Sequence, residues 1–243
     1  MNADPSAQLK LLQIQTLDSK AAQLRHQQTT LPEIAEIASL ETGRKALDDQ
    51  VRDGRIAVAD LTAVQVKAEK DVEAVRARRD RDQGRLASVP PKEVARITDE
   101  LAAVARRIAE LEDDELEVMA RLEDAQRDLS SLEQQLAESD ERVATLAATR
   151  DEKSAAIGAE LETVLAGRPE MVDGMPADLL ALYDRLREKS GTGAAELRAR
   201  QCGGCMLTLD SKELSRIRSL PSDEVVRCEE CSRILVRTAE SGL

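Results

Sequence analysis

Stepping alternately by three and four residues from Val94, the chain passes through Val94, Ile97, Leu101, Val104, Ile108, Leu111, Glu115, Val118, Leu122, Ala125, Leu129, Leu132, Leu136, Ser139, Val143 and Leu146. Fourteen of these sixteen positions are apolar. A 3-4 spacing keeps each such side chain on one stripe of an α-helix. More than seven heptads of it require a partner helix to cover the stripe. The same register upstream reads Ile37, Leu40, Arg44, Leu47, Val51, Gly54, Val58, Leu61, Gln65, Ala68, Val72 and Val75, with nine of twelve apolar. Arg44 and Gly54 predict a looser seam in this first arm. The break from Gly84 to Pro90-Pro91 predicts a turn near 84–92, which favours two long helices folded back as an antiparallel hairpin over the rival intermolecular parallel coil. Glu115, a carboxylate on the stripe, predicts a loosened layer or a basic partner on the other arm.

Composition agrees with narrow helix seams. The 243 residues hold one Tyr, no Phe and no Trp, and 34% are charged. Aromatic side chains dominate ordinary cores, so a thick aromatic core or aromatic-lined pocket is excluded. No GxxxxGK[ST] or GxGxxG phosphate loop occurs, and the single His26 leaves no general nucleophile–base set, so the expectation is a protein that is not an enzyme and takes no small-molecule substrate. Ile14, Leu17, Ala21 and Leu24 mark a first helix over about residues 5–27, with His26 as an exposed or capping residue at its end. The net charge of −12 argues against a chain-wide phosphate clamp. Met1–Pro5 lacks signal-peptide character, and no apolar run approaches the ~20 residues of a membrane span. The expected location is the cytoplasm, where clustered cysteines are more often metal ligands than disulfides.

The seam fails after Ala166, where Gly167-Arg168-Pro169 and Asp173-Gly174-Met175-Pro176 read as helix breakers. A short helix is expected over 178–189, and Ser190–Gly193 reads as a hinge. The division predicted is a helical hairpin part, 1–190, and a small β domain, 191–243. All four cysteines lie in the second part as Cys202-Gly203-Gly204-Cys205 and Cys228-Glu229-Glu230-Cys231. Two residues between thiols let a tight turn aim both at one ion, and two such turns complete a tetrahedral sulfur shell. Softness and geometry point to one structural Zn²⁺ per chain, with iron as the second choice. Two disulfides or a redox pair compete with this reading, but a redox CxxC opens a helix in a βαβ setting that is missing here. Gly203 and Gly204 are expected to supply positive φ and close backbone approach, and the 22 intervening residues a longer hairpin. Val225-Val226 and Ile234-Leu235-Val236 are the expected strands.

The tip Pro91-Lys92-Glu93-Val94 and the run Arg227-Cys228-Glu229-Glu230-Cys231-Ser232-Arg233-Ile234-Leu235 resemble the bacterial C4-type zinc-ribbon family with an N-terminal coiled-coil hairpin, whose signatures are P/T-K-E and C-x-x-C-G-R-I-L. The resemblance spans essentially the whole chain. It implies a mainly α fold with a long antiparallel coiled-coil hairpin and a small C-terminal C4 zinc ribbon, zinc held by Cys202, Cys205, Cys228 and Cys231, and adaptor roles. Members of the family have been linked to nucleic acids, to an alternative sigma factor and to secretion or flagellar components. Ser232 replaces the family's usual Gly, and Val236 stands where Tyr is frequent, which weakens any base-stacking role.

The expected function is a non-enzymatic zinc-ribbon adaptor for protein partners. The competing readings are direct RNA or DNA binding through ribbon arginines (Arg198, Arg200, Arg216, Arg218, Arg227, Arg233 and Arg237) and a plain structural spacer. From Gly191 onward eight basic residues balance eight acidic ones, which makes the nucleic-acid reading weak. A candidate partner surface lies at the tip, where Arg76, Arg78, Arg79, Arg81 and Arg85 head a cluster of seven cations and three anions over residues 76–96. A solvated helix face is its plain alternative, as it is for the acidic run Glu110–Glu117.

Overall fold

The computed structural model describes all 243 residues. Five helices and four short strands follow in the order α1 Pro5–Thr29, α2 Pro32–Leu86, α3 Pro91–Val172, α4 Ala177–Ser190, β1 Ala194–Arg198, β2 Gln201–Cys202, α5 Ser211–Ser219, β3 Val226–Arg227 and β4 Ile234–Arg237. Residue contacts group the chain into two units, Ala35–Ala147 and Met1–Ile34 with Ala148–Leu243.

The first unit is the antiparallel coiled-coil hairpin. Arg44, Arg55 and Arg76 on α2 meet Asp140, Glu133 and Glu112 on α3, so positions on one arm rise as those on the other fall. Fifteen of the sixteen α3 seam positions are buried or half-buried, Val94 at the turn being the exception. On α2 only Arg44 of the twelve is exposed. Of the expected weak points, Gly54 is covered and Arg44 is not. Leu129 leans over Gly54, where an added Cβ would lie 3.3 Å from Leu129 Cδ1. Arg44 swings out to Asp140. Each well-buried aliphatic side chain contributes about 1.5–3 kcal/mol, and each exposed ion pair roughly 0–1 kcal/mol, so the seam and not the charges holds the arms together.

In the second unit a four-stranded sheet in the order β2-β1-β4-β3 separates two apolar layers. Strand alternation assigns the layers. Ala194, Ile234 and Val236 face Leu11 and Ile14 of α1 and Leu179, Tyr183 and Leu186 of α4. Ala195, Leu197 and Leu235 face Ile217 of α5 and two of the cysteines. β1 and β4 pair in parallel, flanked by antiparallel β2 and β3. The chain's first residues dock beside β3, with the Ala3 amide donating to Asp223 O at 2.7 Å and the Val225 amide to Met1 O at 3.0 Å.

Three expectations are corrected. α3 does not stop at Gly167 but runs through Pro169 to Val172. So close to the helix end the proline removes little, its carbonyl still accepts from the Asp173 amide at 3.1 Å, and Met171 and Val172 pack on the α1–α4 core. Ser190–Gly193 is no hinge. The Gly193 amide donates to Gln15 Oε1 at 2.7 Å, its carbonyl accepts from Ile234, and a Cβ there would sit 2.4 Å from Tyr183 O. The insertion between the cysteine pairs is the helix α5, capped by Asp210 accepting from the Glu213 amide at 2.7 Å, and not a longer hairpin.

One buried polar cluster joins α1, α3 and α4. Asp18 accepts from the Tyr183 hydroxyl at 2.9 Å and from Arg168 Nε at 2.9 Å, with Arg187 3.4 Å away. Arg168 also donates to Asp184 at 2.8 Å. The carboxylate lies within the α1 stripe, where an apolar residue would be expected, and the chain's only Tyr completes it. Burial and the bond to Asp18 push the Tyr183 hydroxyl far above its ordinary pKa.

Candidate metal centre

Each cysteine pair sits on a tight turn, and the two turns share one hydrogen-bond scheme. In the first, the Met206 amide donates to Cys202 O at 2.8 Å and the Cys202 amide to Leu207 O at 3.0 Å. In the second, the Ser232 amide donates to Cys228 O at 2.8 Å and the Cys228 amide to Arg233 O at 3.0 Å. The left-handed residue falls one place after each second cysteine, at Met206 (φ 63°) and Ser232 (φ 62°). Gly203 and Gly204 therefore do not supply the positive φ expected of them. They supply closeness: a Cβ on Gly203 would lie 3.1 Å from Glu196 O, and one on Gly204 would lie 2.7 Å from Arg233 Cδ. Ser232 occupies the left-handed site where the related signature has Gly, which gives that signature its physical reason.

The turns bring all four Sγ atoms within 4.8 Å of one another. Cys202 and Cys231 are 3.7 Å apart, and Cys205 and Cys228 3.9 Å. A disulfide needs about 2.05 Å, so these are four thiols. A tetrahedron with metal–sulfur bonds of about 2.3 Å has edges of about 3.8 Å. The donor set and its dimensions fit a tetrahedral S4 ion site. Arg233 secures the arrangement by donating to Gly204 O at 3.1 Å and Thr192 O at 3.2 Å. Burial pushes the Cys228 thiol up to about 12 and raises Cys202. At Cys231 burial acts the same way, but donation from the Arg233 amide and guanidinium and from the neighbouring thiols outweighs it and draws the group down to about 7. A dication would favour the anionic form at every sulfur, against the burial that raises Cys202 and Cys228.

Three of the five tip arginines pair with acids of their own helix and one reaches across to α3. Arg78 and Arg85 flank Asp82, Arg79 meets Asp80 at 2.7 Å, and Arg76 crosses to Glu112 at 2.5 Å. Arg81 makes no ion pair. Glu115 is half-buried in the seam, and His26 is exposed in the last turn of α1. In the ribbon, Arg237 donates to Pro221, Ser222 and Glu224 carbonyls, Arg227 to Ser232 O, and Arg216 and Arg198 pair with Glu213 and Glu240. Val236 is fully buried under α1 and α4, so its position offers no surface to a base.

A hairpin coiled coil carrying a four-thiol ribbon defines a class, and comparison with known proteins identifies it. The CT398-like coiled coil hairpin domain matches residues 14–191 and the C4-type zinc ribbon domain residues 201–235. The chain belongs to this CT398-like coiled-coil hairpin family with a C4-type zinc ribbon. It is 33% identical over 239 residues to an uncharacterized protein of Mycobacterium tuberculosis strain H37Rv, covering 98% of each. A solved structure from Mycobacterium smegmatis is similar, with a TM-score of 0.86 and 32% identity over 98% of this chain and 100% of that one. CT398 from Chlamydia trachomatis shares the fold, with a TM-score of 0.70 and 22% identity over 96% and 98% of the two chains. No helix is long and apolar enough to cross a membrane.

Proposed function

We propose that this protein is a non-enzymatic cytoplasmic adaptor. One structural Zn²⁺ on Cys202, Cys205, Cys228 and Cys231 fixes the ribbon, residues 191–243, as a rigid surface for a protein partner. The helical part, residues 1–190, offers a second contact at Arg76, Arg78, Arg79, Arg81 and Arg85. The observation that carries this reading is the closed S4 arrangement at tetrahedral spacing, which uses every thiol and leaves no ligand position for a substrate. The zinc supplies cross-linking and no reaction. Arg233 and the glycine contacts hold the turns in register, and Leu235 and Ile217 pack behind them.

The ribbon arginines favour a protein partner over RNA or DNA. Most of those guanidiniums already serve internal carbonyls and carboxylates, and Arg218 alone of the seven has no such bond. Phosphate binding through counterion release needs cations free to approach the backbone.

Metal analysis of the purified protein tests the first half, with one zinc per chain expected and none overturning it. Photo-crosslinking from position 212 on α5 in living cells tests the second. The expected product is a crosslink to protein, and a crosslink to nucleic acid alone favours the competing reading.

A further inference from the structure

We propose that the first cysteine knuckle is a docking face for a partner segment that carries an apolar side chain beside lysines or arginines. This deepens the adaptor reading and rests on it. Met206 is 69% exposed and Leu207 51%, and Met206 exceeds every other large apolar side chain of the chain in exposure. They are consecutive on a turn whose backbone is fixed by the Cys202 hydrogen bonds described above; Leu207 lines the groove described next, and Met206 lines a neighbouring hollow with Arg198 and Gly203. A rigid, solvent-facing apolar turn is a feature that partners cover.

Charge beside the turn selects the partner. A groove of about 120 Å³ runs from Leu207 and Leu209 past Cys228 to Asp210, Glu213, Glu229 and Glu230. Arg216 neutralises Glu213 at 2.5 Å, and Asp210 caps α5. Glu229 and Glu230 are exposed and make no ion pair. The dication proposed above, held by four thiolates, would add further negative charge at the floor. An acidic segment or a nucleic-acid backbone is repelled here. A basic segment is attracted, and its apolar side chain meets Leu207 at the groove's edge, with Met206 next to it on the same turn.

The test selects random displayed dodecapeptides on the full-length zinc-loaded chain. Enriched peptides are then measured by fluorescence anisotropy against that chain and two surface variants, Met206→Ser with Leu207→Ser, and Glu229→Lys with Glu230→Lys. Zinc content and thermal melting confirm that each variant is folded, and Glu229→Gln with Glu230→Gln replaces the reversal if it melts early. The expected peptides are basic and apolar, and each variant weakens them at least about tenfold. No enrichment, acidic peptides, or variants that bind like the parent overturn the proposal. The Cys228→Ser chain separates this failure from failure of the adaptor reading. Peptides indifferent to the surface variants but lost with Cys228→Ser leave the ribbon as the docking domain and refute this face. Peptides indifferent to all three refute this face and the ribbon as the docking domain.

Discussion

Met206 and Ser232 hold equivalent places in the two cysteine turns and share a left-handed backbone, φ 63° and 62°. An L-residue there costs about 1 kcal/mol or more relative to glycine. Ser232→Gly is expected to stabilise the ribbon by about 0.5–1 kcal/mol, net of the entropy that glycine adds to the unfolded chain. A raised thermal midpoint and slower zinc loss to a chelator would register it. An unchanged or lowered midpoint would mean that the serine compensates its own strain.

Gly193→Ala is expected to damage the same unit. Its Cβ would meet Tyr183 O at 2.4 Å and the Tyr183 ring at 2.7 Å. Backbone cannot yield as a flexible side chain can, so a loss of about 1–3 kcal/mol is expected from overpacking. Denaturant unfolding measures it. Stability close to the parent's would show that the 190–193 segment can move after all.

The seam residues, turn and cysteine pairs were legible because each rests on a local rule: a 3-4 period, two prolines, a two-residue gap. Asp18 was not legible, since its partner Tyr183 is 165 positions away. β1 carries no β-branched residue in Ala194–Arg198 and is a strand through its pairing to β4 on one side and β2 on the other, which no local pattern announces. α5 hid inside a spacing that suits a hairpin as well. The Ser190–Gly193 run has the composition of a linker, and only the tertiary approach of Tyr183 and Gln15 makes it rigid.

Tyr183→Phe removes a buried hydrogen bond to a carboxylate and is expected to cost about 1.5–3 kcal/mol near neutral pH. The cost should shrink in alkali. The folded hydroxyl titrates far above its ordinary value, whereas the unfolded tyrosine ionises near pH ~10. The native state thus keeps a proton that the unfolded state sheds. Its contribution is fully present below pH ~10 and is lost as pH rises from there toward the folded value. Denaturant midpoints of parent and variant from pH 8 to 11 should converge, and a constant gap would contradict the linkage.

Reversing Arg78, Arg79 and Arg81 to Glu should leave the hairpin nearly as stable as before. Arg78 and Arg79 pair only with residues of their own helix, Arg78 and Arg81 are exposed and Arg79 half-buried, and such pairs contribute roughly 0–1 kcal/mol. Helical circular dichroism on heating reads the outcome. A large fall in the midpoint would make the tip charges structural and withdraw them as a partner surface.

Removing the metal should melt the ribbon unevenly. The layer beyond the sheet contains Cys202 and Cys228 among its buried residues together with Ile217 and Val226, so its packing depends on the thiols being gathered. The opposite layer, built from Leu11, Ile14, Leu179, Tyr183 and Ile234, contains no cysteine. Hydrogen exchange after chelation is therefore expected to rise in α5 and β3 while α1 and α4 keep their protection. Acid should produce the same pattern, because the ion binds thiolates, and free thiols recover their protons as pH falls below their ordinary range near ~8.5. Stability from the proposed ion would thus be present at neutral pH, where metal competes with protons, and lost on acidification. Uniform melting of α1, α4 and α5 together would show instead that the two layers fold as one and that the metal holds both.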